Sequence, residues 1–156
     1  MNDPINRSAP SWSASPTAKA RNSVQRSVTA LLDELAPERV LKRVEQLQGS
    51  IEQHRTPTGC VLEAETASVS VSWFADASKD AVLGELHVVV WRGKVARRGA
   101  TLKRKGATIV AELVLRPLEP PTNDCLWQAV DGTRYDTASL AAKCLALLEA
   151  QIDSPG

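Results

Sequence analysis

The side chains of this 156-residue chain that could do acid–base or metal chemistry are few in kind: two histidines, three cysteines and eighteen carboxylates. Glu63 and Glu65 stand two apart in a strand-like stretch, which puts them on one face. Paired carboxylates catalyse proton transfer when their surroundings drive their pKa values apart. Nothing around this pair does so, and the reading is a solvated strand face, as for Asp76 and Asp80 in the loop "DASKD". His87 lies in an apolar strand and reads as a packed, hydrogen-bonded side chain. With only His54 beside it and no Cys-x-x-Cys or His-x-x-x-His pair, a zinc site of ordinary ligand spacing is not expected. The chain has neither a Gly-x-Ser-x-Gly turn nor a Gly-x-x-x-x-Gly-Lys-Ser/Thr loop. Arg98-Gly99 and Lys105-Gly106 share residue types with phosphate loops but not their spacing. No catalytic residue, metal or cofactor is therefore assigned, and the expectation is a protein that is not an enzyme.

Cys60, Cys125 and Cys144 are odd in number, far apart and set in apolar context. That suits buried thiols of a reducing compartment better than a secreted disulfide framework. A Cys125–Cys144 contact that oxidises under stress is the alternative. The first twenty residues lack the apolar core of a secretory signal, and no apolar run approaches the roughly 20 residues of a membrane span. Cytoplasmic residence without membrane contact is expected.

Charge is where the chain is unusual. Seven of the fourteen residues from Arg92 to Lys105 are basic and none is acidic, although the net charge is only +1. The rest of the chain holds twelve basic against eighteen acidic residues, a net charge of −6. A cationic hairpin on an acidic domain steers it toward an acidic surface. The contact residues expected are Arg92, Lys94, Arg97, Arg98, Lys103, Arg104 and Lys105, with Trp91 at the base. An acidic protein partner or assembly is the first reading, which makes the chain a non-catalytic interaction or adaptor module. Sequence-blind nucleic-acid binding by the same hairpin is the alternative, with Trp91 stacking on a base. No aromatic residue stands between 92 and 106 to extend such stacking. Cations at a sheet edge also guard against edge-to-edge aggregation.

The elements that would carry this hairpin follow from periodicity. Residues 1–19, rich in Ser, Pro and Ala around a lone Trp12, read as a disordered tail. Val24, Val28, Leu31 and Leu35 form a helical stripe, and Val40, Val44, Leu47 and Ile51 a second one after Pro37. These are two helices or one kinked helix, and residues 24–51 could also pack against a second copy. Val69, Val71 and Trp73 alternate with Ser68, Ser70 and Ser72 as a half-buried strand. "CVLEAE" reads as another strand turning near Thr66. The stretch 82–91 is apolar on both faces, with Leu86, Val88 and Val90 on one and Leu83, Val89 and Trp91 on the other. A strand over 107–116 and a short one over 125–130, with a turn at Asp131-Gly132, complete the sheet. Asp136 or Thr137 caps a last helix bearing Leu140, Cys144, Leu147, Leu148 and Ile152. The expected fold is α+β. It has four to five antiparallel strands, with the N-terminal helix or helix pair and the C-terminal helix on one face. It forms a single domain over 20–152, and 153–156 fray.

Overall fold

Val24, Val28 and Leu31 do what their spacing predicts. In a computed structural model of the chain they form the buried stripe of helix α1, Ala18–Glu34, and Leu35 continues it just past the helix end. The structure describes residues 18–36, 51–75, 83–93, 96–98, 101–103, 108–118 and 126–152. Ahead of Pro37 the chain tightens, with Leu35 and Ala36 donating to the carbonyls of Leu32 and Asp33 three residues back.

Seven strands make one antiparallel sheet, where the sequence suggested four or five: β1 Glu52–Thr56, β2 Gly59–Glu63, β3 Ala67–Phe74, β4 Glu85–Arg92, β7 Thr108–Pro117, β8 Trp127–Ala129 and β9 Arg134–Tyr135. Each pairs with the strand before it, except that β7 follows β4 directly in the sheet. The chain between them forms a ribbon of its own, β5 Ala96–Arg98 with β6 Thr101–Lys103. The largest departure from the periodicity is β1. Ile51 completes a helical stripe in sequence, yet Glu52–Thr56 is a strand paired to β2 across the turn at Pro57-Thr58. Its residues are polar, so no alternation announces it, and pairing with β2 decides its conformation. The rest of the second expected helix, with Val40, Val44 and Leu47, lies outside the described residues.

Helix α2, Thr137–Ile152, is capped by Asp136. The Asp136 carboxylate accepts from the Ser139 amide at 2.7 Å, and the Asp136 amide donates back to the Ser139 hydroxyl at 2.9 Å. Helices α1 and α2 touch each other and share one core with Leu62, Val69, Val71, Leu86, Val88, Val90 and Leu115 on one face of the sheet. Leu83 belongs to this core rather than to the opposite face. Trp73 and Trp127 meet in it edge to face, ring centres 5.7 Å apart. The stripe of α1 is thus spent on the chain's own sheet over 24–35, and that length of it offers no seam to a second copy.

Two glycines are required by close approach. A Cβ on Gly59 would lie 2.5 Å from the Val71 carbonyl oxygen. At Gly84, φ is +105° and a Cβ would run into the Trp73 ring. No helix among the described residues is long and apolar enough to cross a membrane.

Candidate functional site

The cationic segment begins at the end of β4. Arg92 is exposed and paired with Thr108 across the sheet. Beyond it the backbone of Gly93 is fastened at both groups. Its amide donates to the Thr66 carbonyl and its carbonyl accepts from the Ser68 hydroxyl, each at 2.8 Å. The ribbon that follows pairs Ala96 with Lys103, Arg97 with Leu102 and Arg98 with Thr101. Arg97, Arg98 and Lys103 therefore occupy adjacent rungs of one small ribbon. Lys94, Arg104 and Lys105 lie outside the described residues.

Trp91 does not fit the role of a stacking platform. It is only 6% exposed, and its indole N–H donates to the Ser70 hydroxyl at 3.2 Å. A base cannot lie on a ring already covered, so Trp91 leaves the contact set. The serine row of β3 has a matching explanation. Ser68 and Ser70 are buried on the face away from the helices because they tie down Gly93 and Trp91.

That same face carries two histidine–carboxylate groups. In the first, Glu85 accepts from His87 Nε2 at 2.9 Å through Oε1, and from Arg116 Nε and Nη2 at 3.0 and 2.8 Å through Oε2. The His87 hydrogen bond, then the Arg116 one, holds the Glu85 carboxyl below its usual range. His87 Nδ1 faces Glu112 at 4.0 Å, and Phe74 sits edge-on to the imidazole. An open groove of about 450 Å³ runs beside the Glu85–Arg116 pair, bounded by Val114, Gln128 and Val130. Ser72 is the cross-strand neighbour of His87. Both imidazole nitrogens nevertheless face carboxylates, so the ring is not aimed as a base at that hydroxyl. Glu85, ionised and fully engaged, is no general acid. The group is a neutralised polar cluster.

In the second group, His54 Nε2 lies 3.0 Å from Glu63 Oε1 and 3.8 Å from Glu52 Oε1. Glu63 is buried and the other two are more exposed. Glu65, expected beside Glu63 on a strand face, is instead in the turn after β2, so the paired-carboxylate arrangement does not form. No spacing rule could have found the Glu52, His54 and Glu63 group. It depends on the β1–β2 register, in a stretch whose periodicity reads as helix.

Cys60 and Cys144 are buried free thiols, and burial pushes each up to about 12. They are packing residues, not nucleophiles; Cys125 lies outside the described residues. Comparison of the chain with family models, curated proteins and solved structures finds no match.

Proposed function

We propose that this protein is a non-catalytic interaction module that engages an acidic protein surface through the cationic ribbon between β4 and β7. One observation carries the reading. Within the segment 92–105, which holds seven of the nineteen basic residues, Arg97, Arg98 and Lys103 lie on a two-stranded ribbon separate from the main sheet, on a chain otherwise of net charge −6. Its base is held by the two Gly93 hydrogen bonds, which limits the ordering cost of docking. Opposite charge on the ribbon steers the encounter, and the ribbon's own positive charge repels basic partners from the same surface.

Burial of Trp91 favours a protein over a single-stranded nucleic acid, because sequence-blind strand binders add aromatic stacking to charge.

The test is fluorescence anisotropy with a labelled poly-glutamate peptide, beside an oligonucleotide of equal charge. The chain binds poly-glutamate, and the triple variant Arg97→Ser, Arg98→Ser, Lys103→Ser loses about tenfold in affinity, the scale of three exposed ion pairs. Equal affinity of wild type and variant overturns the proposal. Tighter binding of the oligonucleotide replaces it with the nucleic-acid reading.

A further inference from the structure

We propose that Glu52, His54 and Glu63 form a binding site for one divalent transition-metal ion of the zinc class. Backbone topology places them before any side-chain detail is considered. The β1–β2 hairpin pairs Glu52 with Glu63 and His54 with Val61. Alternation along β1 then puts 52 and 54 on the face opposite Gln53 and Arg55. Those two reach the other way, to the Leu35 carbonyl at 3.0 Å and the Asp33 carboxylate at 2.8 Å on α1. One donor atom from each of Glu52, His54 and Glu63 lies within 4.8 Å of the others. The two shorter separations, 3.0 and 3.8 Å, straddle the roughly 3.4 Å edge of a tetrahedron with metal–ligand bonds near 2.1 Å.

Electrostatics supplies the second argument. The Glu63 side chain is only 9% exposed. A carboxylate there loses its hydration, and burial of an anion is costly unless a cation answers it. Among the described residues its polar partner is His54, which brings a positive charge only when protonated. The other group is a built-in comparison. Glu85 is nearly as covered, 14% exposed, but Arg116 answers its charge with two N–H donors. Glu63 has no such arginine among the described residues. A metal ion would supply the charge and engage carboxylate lone pairs that a single imidazole leaves over.

The donor set narrows the ion. One imidazole nitrogen with two carboxylate oxygens suits Zn²⁺, Co²⁺ or Mn²⁺ better than Mg²⁺ or Ca²⁺, which take oxygen throughout. Three protein ligands leave a coordination position open to water or to a ligand from a partner. Because bound metal displaces protons from its ligands, affinity falls on acidification.

Co²⁺ is the probe, titrated into the untagged, chelator-stripped full chain and followed by its visible ligand-field absorption. The expected result is saturable uptake of one ion per chain, displaced by Zn²⁺. Affinity falls at least tenfold in His54→Ala and in Glu63→Gln, the lower end of what weakening a metal site costs, and is unchanged in His87→Ala. His54 is 44% exposed at its side chain, so its replacement spares the core, and circular dichroism checks both variants. No saturable uptake by wild type overturns the proposal, as does unchanged binding by His54→Ala. Loss in His87→Ala alone also overturns it, by moving the ion to the other group.

Discussion

Cys60 and Cys144 show how completely burial can set a residue's chemistry. Each thiol ionises near 9.0 when free of the fold and is pushed to about 12 by desolvation within it. The folded state therefore keeps protons that the unfolded state gives up. Below about pH 9 both states are neutral at these positions and stability is unaffected. Between about 9 and 12 each thiol costs on the order of 1.4 kcal/mol of stability per pH unit. Urea denaturation across that window shows a falling alkaline limb, and the double variant Cys60→Ala, Cys144→Ala flattens it. The same burial makes both thiols unreactive to alkylating reagents at neutral pH until the chain unfolds. The apolar context of these residues was legible in sequence. The burial of Trp91 was not, because an alternating strand shows which residues share a face but not which of two apolar faces stays open.

At the scale of elements, legibility followed amphipathicity. Helices α1 and α2 and strand β3 each carry a clear period of apolar residues, and each appears where that period places it. Strand β1 carries none, and Glu52, Gln53, His54, Arg55 and Thr56 would suit an exposed helix turn equally well. Only the hairpin partner makes it an edge strand, and its charged residues then fit the usual protection of an edge. The Glu52, His54 and Glu63 group inherits this: a site built across a register is invisible until the register is known. Two predictions belong here. Gly84→Ala places a methyl against the Trp73 ring at a φ of +105°, and costs about 1–3 kcal/mol in chemical denaturation. Leu31→Ala empties a fully buried position between α1 and the sheet and costs about 2–5 kcal/mol. If α1 were a detachable docking helix, that substitution would leave the midpoint unmoved.

For the molecule as a whole, the organising feature is separation of charge. Six cations stand in the connection between β4 and β7 and a seventh, Arg92, ends β4, while Glu52, Glu63, Glu85 and Glu112 share the sheet face away from the helices. Only part of this was readable beforehand. The concentration of charge was plain from residue order. That residues 96–98 and 101–103 of the segment form a ribbon outside the sheet needed the β4–β7 pairing, in which strands separated by fifteen residues lie side by side. Such an arrangement speeds association with an oppositely charged surface and makes it sensitive to salt. The most direct measurement is the affinity for poly-glutamate as salt rises from about 50 to 200 mM, for wild type and for the Arg97, Arg98 and Lys103 triple variant. Wild-type affinity is predicted to fall steeply over that range, and the variant's to start lower and fall less. Wild-type binding that ignores salt, or the same dependence in both proteins, would contradict the account.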